Sequence, residues 1–121
     1  MTTVRYFAHD VATAIEFYTR HLDFKVKQQF GAVIAILERE GMTLWLAGPQ
    51  ASASRPMPNG RRPEPGGWNR FVIEVDDLPS VVEALRANGV PFRNDIVEGP
   101  GGRQILCEDP SGNVVELFEA A

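Results

Sequence analysis

The sequence predicts an α+β fold of two tandem βαβββ modules whose sheets curve into a partly closed, barrel-like surface around a cleft, with the helices outside. Module one spans 1–47, a connector 48–67, and module two 68–121, all within one domain. Three observations carry that reading. Each module opens with a short strand followed by an aspartate-capped amphipathic helix. The helical pattern returns after a shift of 67 residues, which lays Asp77 on Asp10, Leu78 on Val11, Val81 on Ala14, Val82 on Ile15 and Leu85 on Tyr18. Each module then ends in an apolar hairpin, most clearly at Arg103 to Phe118. A four-stranded sheet with one helix against it leaves its other face bare, and two such faces can enclose a hollow.

The elements follow in order. Thr2 to Ala8 alternates as a strand, and Asp10 has the side chain and position of a helix N-cap. Val11, Ala14, Ile15, Tyr18 and Leu22 form one helical stripe, which predicts a buried face. Phe24 to Phe30, Val33 to Leu37 and Met42 to Ala47 read as strands, the last two joined by Glu38-Arg39-Glu40-Gly41. From Gly48 to Gly67 the stretch holds five of the nine prolines and three arginines and has no hydrophobic period, so it is expected to be a linker or flap without folded structure. Phe71 to Val75 is the next strand and Asp77 the next cap. Leu78, Val81, Val82 and Leu85 repeat the stripe, and Asn88-Gly89 ends the helix through a left-handed residue. Val90 to Val97, Arg103 to Glu108 and Val114 to Phe118 supply the last strands. Between the final two, Asp109 bonds its own backbone, Pro110 presets the turn and Gly112 supplies a positive φ.

Composition bounds the function. At 121 residues and 44% hydrophobic, the chain can bury a core of its own. A net charge of −4 with mixed signs argues against nucleic acid and points to no membrane partner. No run approaches bilayer-spanning length, and no signal peptide is recognisable. The single cysteine excludes an internal disulfide and suits a reducing cytoplasm, the expected location. Cys107 falls on the core face of its strand and reads as a small apolar residue, not a nucleophile.

Side-chain alternation also selects the residues of the bare faces. Thr3, Arg5 and Phe7 share one face of the first strand, Thr43 and Trp45 of the fourth, and Arg70 and Val72 of the fifth. Gln104 and Leu106 come from the seventh strand, and Val114, Glu116 and Phe118 from the eighth. Glu116 is the oddity, a carboxylate within an apolar strand and roughly opposite Leu106. It is either part of a solvated face or aimed into a cleft. An apolar pocket with an aromatic wall and a few polar anchors suits a small-molecule ligand.

The chain resembles the vicinal oxygen chelate superfamily, which includes glyoxalase I, extradiol dioxygenases, fosfomycin-resistance proteins and bleomycin-binding proteins. The likeness lies in Asp10 followed by Ala14-Ile15-Glu16-Phe17-Tyr18 and Leu22-Asp23-Phe24. It continues in Val75-Asp76-Asp77-Leu78, Gly89-Val90, and Asp109-Pro110-Ser111-Gly112-Asn113 running into Glu116-Leu117. Asp23 stands where the family usually has glycine, a place an aspartate can fill in a left-handed conformation. The resemblance implies the fold, a homodimer, and a divalent metal held by side chains of the first and fourth strands of each module. Those positions here are Thr3, Trp45, Arg70 and Glu116, of which only Glu116 is a strong ligand. His9 and His21 read as surface residues. The expectation is therefore a cleft with no metal and no cofactor that binds a small aromatic or anionic molecule. Trp45, Phe7 and Phe118 would stack on it, Arg70 would anchor an acidic group with Arg5 as a second cation, and an Arg70–Glu116 ion pair would fill the metal's place. The alternatives are a lyase, isomerase or dioxygenase of the glyoxalase type, with Glu116 as general base or residual ligand, and a purely structural partner module.

Overall fold

The computed structural model describes residues 2–121. The chain divides into two compact units, residues up to Gly66 and those from Gly67 to Ala121. The first contains β1 (Thr2–Phe7), α1 (Val11–His21), β2 (Lys25–Phe30), β3 (Ile34–Arg39) and β4 (Met42–Ala47). The second contains β5 (Phe71–Glu74), α2 (Leu78–Ala87), β6 (Val97–Gly99), β7 (Gly102–Glu108) and β8 (Val114–Ala120). Each unit is thus a βαβββ module. Their four-stranded sheets have the equivalent orders β1-β4-β3-β2 and β5-β8-β7-β6. The first and last strands of each module run parallel and the remaining neighbours antiparallel.

Both helices begin as the sequence implies. Asp10 accepts from the Ala12 N–H at 3.2 Å, and Asp77 from the Ser80 N–H at 3.3 Å and the Ser80 hydroxyl at 2.7 Å. Each caps a first turn whose N–H groups lack intrahelical partners. At the far end of α1, Asp23 takes φ 59° and the Phe24 N–H returns to the Tyr18 carbonyl at 3.1 Å. Gly89 does the same for α2 with φ 81°. The buried stripe of α1 is Val11, Ala14, Phe17 and Tyr18, so Phe17 takes the place expected for Ile15, which is half-buried. Phe17 meets Tyr18 edge to face at 5.1 Å and His21 at 5.5 Å, which turns the helix toward its aromatic side and leaves His21 half-buried. In α2 the buried stripe is Leu78, Val82 and Leu85, with Val81 at its edge.

One face of each sheet forms a core. Ala35, Leu37, Leu44 and Leu46 are fully buried in the first unit, as are Ile105, Cys107, Val115 and Leu117 in the second. Each large side chain buried in this way is worth about 2 kcal/mol. The two closing hairpins use different turns. Arg39 pairs with Met42, so Glu40 and Gly41, with φ of 45° and 80°, form a two-residue type I′ turn. In the second unit Asp109 is buried and organises the turn. Its Oδ1 accepts from the Ser111 and Asn113 N–H groups, each at 2.9 Å, and its Oδ2 from Asn113 Nδ2 at 3.0 Å. Gly112 has φ 84° and donates to the Asp109 carbonyl at 3.0 Å.

Two expectations are corrected. The strand expected over Val90 to Val97 is not continuous. Phe92 makes an isolated bridge to Cys107, and pairing resumes only in β6. Pro91 has no N–H to give, and the Asn94 side chain takes the Leu106 N–H at 3.0 Å, occupying a donor that an adjacent strand would use. The connector is also more than an unstructured linker. Ser52–Ser54 is a 3₁₀ turn, the Ser54 hydroxyl donates to the Gly48 carbonyl at 2.7 Å, and Ala51 is buried. Gly48 is required there, because a Cβ would lie 2.7 Å from the Ala32 carbonyl oxygen and 2.9 Å from Val11 Cγ2. Farther along, Arg62, Pro63, Glu64 and Pro65 close a cavity of about 180 Å³ against Phe7, Ala8 and His9.

Candidate functional site

The strand register groups the residues read from alternation on one face of each sheet, except Arg70, which was expected on the fifth strand and instead lies just before it. In the first unit Thr3 pairs with Thr43 and Arg5 with Trp45. Thr43 is buried, Trp45 and Phe7 are half-buried, and Thr3 and Arg5 are exposed. The Arg5 guanidinium lies over the Trp45 ring, 4.9 Å from its centroid, a cation–π contact that holds the indole on the sheet. Ile36 pairs with Trp45 and extends this apolar surface onto β3. Alternation could not single it out, since Ile34-Ala35-Ile36-Leu37 is apolar on both faces.

In the second unit Glu116 is the centre. It pairs with Val72 on one side and Leu106 on the other, and Gln104 pairs with Phe118 one step along the same face. Leu106 and Val114 are buried, Gln104 and Phe118 half-buried, and Val72 exposed. The Glu116 side chain is only 11% exposed, so its charge needs a partner. Arg70, just before β5, supplies it. Its Nε donates to Glu116 Oε1 at 3.0 Å and its Nη2 lies 2.9 Å from the same oxygen. Arg70 Nη1 donates to the Trp68 carbonyl at 3.3 Å, anchoring the arginine to the chain that leads into the strand. The expected ion pair is therefore present, with both contacts on Oε1.

A second arginine organises the neighbourhood. Arg93 Nε donates to Glu108 at 2.6 Å, Nη1 to the Gly67 carbonyl at 2.7 Å, and Nη2 to the Gly112 carbonyl at 3.0 Å. Its guanidinium lies over the Trp68 ring, 4.6 Å from the centroid. Trp68 and Arg93 were not among the site residues read from the sequence. The only sequence signal for Trp68 was an aromatic residue closing a proline-rich stretch two residues before Arg70. Arg93 sat in what read as a strand.

The donor set of the four metal-ligand positions does not fit a divalent cation. Thr3 offers an exposed neutral hydroxyl, Trp45 no usable lone pair, and Arg70 a permanent positive charge. Glu116, the one strong ligand, has its Oε1 taken by that charge. Among the described residues no group of three or more His, Cys, Asp or Glu side chains could hold a metal ion. Cys107 is no nucleophile either. Its side chain is fully buried, and desolvation pushes the thiol up to about 12.

Two βαβββ modules in tandem, with equivalent strand orders, define the class of a tandem-module α+β fold. The sequence profile of the Glyoxalase/Bleomycin resistance protein/Dioxygenase superfamily matches residues 1–117, and the chain belongs to that superfamily. Solved structures agree on the fold. A lactoylglutathione lyase from Agrobacterium tumefaciens is 22% identical, with a TM-score of 0.77 over 98% of this chain and 92% of that one. An antibiotic binding protein from Streptomyces sp. CB03234, TnmS3, is 23% identical, with a TM-score of 0.75 over 100% of this chain and 95% of that one. A glyoxalase/bleomycin resistance protein/dioxygenase from Nocardioides is 25% identical, with a TM-score of 0.74 over 98% of this chain and 82% of that one. No curated protein matches by sequence at a significant level. Among the described residues no helix is long and apolar enough to cross a membrane.

Proposed function

We propose that this member of the superfamily binds a small, aromatic or anionic molecule without a metal, with two candidate contact surfaces: the Trp45–Arg5 face of the first unit's sheet, and the Arg70–Glu116 face of the second unit's sheet. The observation that carries the reading is the Arg70 guanidinium seated on Glu116 Oε1, a fixed cation at a position where the resemblance implies a metal ligand. An arginine there favours an anionic group over a cation. The Trp45 indole, backed by Arg5, supplies a flat apolar surface for stacking. That one structural relative is an antibiotic binding protein supports small-molecule binding as a use of this scaffold. The protein would act in the cytoplasm as a homodimer, and sedimentation should then give twice the chain mass. The test of binding is a fluorescence screen of small aromatic acids against the purified protein. Trp45→Ala should weaken a hit about tenfold, and unchanged affinity would remove Trp45 from the site.

A second reading has one observation in its favour. Both Arg70 contacts fall on Oε1, so Oε2 of Glu116 carries no bond from that arginine and could accept a substrate proton. Glu116 would then be the general base of a metal-free isomerase or lyase. The relative named a lactoylglutathione lyase makes carbonyl substrates the first to try. Glu116→Gln should abolish any turnover found, and surviving activity would leave the binding reading alone.

A further inference from the structure

Trp68 is the most exposed large apolar side chain among the described residues, at 67%, yet it does not hang free. One face of its indole rests on the Arg93 guanidinium, and that guanidinium is itself fixed by three hydrogen bonds. Holding an aromatic ring still in water contributes little to folding. It does lower the entropy lost when something stacks on the ring's other face. The Trp68 carbonyl accepts from Arg70 Nη1, so the Arg70 guanidinium is tied to the same short stretch of backbone that carries the indole. Arg70 Nε donates to Glu116 Oε1, Nη2 lies 2.9 Å from the same oxygen and Nη1 donates to the Trp68 carbonyl, while the side chain remains 29% exposed. A guanidinium carries five N–H groups, so this arginine can hold Glu116 and still offer its solvent-facing edge to a carboxylate.

We infer that Trp68 is a ligand-contacting residue, and that the second unit takes a planar aromatic carboxylate, its ring stacked on the open face of Trp68 and its carboxylate on the exposed edge of the Arg70 guanidinium. Arg93 is a positioning residue in this arrangement, since it touches the back of the indole and not the ligand. This assignment rests on the small-molecule reading above and narrows it to a chemical class and to a residue outside the alternating strand positions.

The experiment is calorimetric titration with three probes that separate ring from charge: naphthoate, planar and anionic; naphthylmethanol, planar and neutral; and cyclohexanecarboxylate, anionic and not planar. The wild type should bind naphthoate more tightly than either control by about tenfold. Trp68→Ala should weaken naphthoate about tenfold while leaving cyclohexanecarboxylate within about twofold, and Trp68→Phe should recover most of the loss. Arg70→Lys should weaken naphthoate and spare naphthylmethanol, because a lysine keeps the charge but not the planar fork. Three outcomes would overturn the inference. They are equal naphthoate affinity in wild type and Trp68→Ala, an equal loss of naphthoate and cyclohexanecarboxylate in that variant, or no naphthoate binding to the wild type in the millimolar range. If a ligand from the fluorescence screen still binds in any of those cases, small-molecule binding stands and only the role given to Trp68 and the carboxylate falls. If the screen too finds nothing, the broader reading falls with it.

Discussion

Arg70→Met removes one partner of a partly buried ion pair and keeps a side chain of similar length. At 2.9 Å the attraction is about 6 kcal/mol before desolvation is counted, taking an effective dielectric of about 20. The Arg70 side chain is 29% exposed, so solvent screens part of this, while Glu116 at 11% exposure loses the guanidinium bonded to it. A net destabilisation of about 2–3 kcal/mol is expected, a fall in Tm of about 10 °C for a chain of this size. Urea unfolding followed by tryptophan fluorescence measures it. The decisive comparison is Arg70→Met combined with Glu116→Leu. Glu116 sits between Val72 and Leu106, so a leucine there meets apolar neighbours, and the double variant should lie within about 1 kcal/mol of wild type. If the double variant is instead as unstable as the sum of the two single changes, the pair is uncoupled. The picture of Glu116 as a charge held in place by Arg70 would then be wrong.

Cys107 should resist alkylation in the folded protein and react only on unfolding. Its thiol is raised from 9.0 to about 12 by burial, so the native state holds its proton where the unfolded chain releases it; stability from this group is full below pH 9 and is lost as pH rises toward about 12. Cys107→Ala should flatten that alkaline limb in a pH series of urea melts. Glu119 behaves in the opposite sense. Bonds from Arg103 Nε at 2.9 Å and the Leu78 N–H at 2.7 Å hold its carboxyl below its ordinary 4.5, so its contribution is present above that pH and is lost as acid titrates the folded group. Glu119→Gln should weaken the acid dependence of stability, and an unchanged acid limb would show that this carboxylate does not brace the start of α2.

Much of the fold could be read because its signals are local and repeated. Asp10 and Asp77 announce their helices, Gly41 and Gly112 their turns, and the shift of 67 residues ties the modules together before any contact is known. The Arg70–Glu116 pair was legible for the same reason, since strand parity and the duplication fix which side chains share a face. What escaped depends on contacts distant in sequence. Pro91 and Asn94 break the strand expected at Val90 to Val97 only because the Asn94 side chain reaches the Leu106 N–H. Phe17 displaces Ile15 from the buried stripe through its ring contacts, which a periodicity count does not weigh. Trp68 lay in a stretch with no hydrophobic period, and its restraint by Arg93 spans 25 residues. No pattern within a single element could have shown it.

Metal analysis of the protein purified without chelators, followed by titration with zinc, manganese, iron(II) and nickel ions, tests most directly whether an arginine–glutamate pair has replaced an ion-binding centre. Substoichiometric metal, and no saturable binding that Glu116→Ala removes, is the expected result. One tightly held ion per chain, lost on changing Glu116, would contradict it.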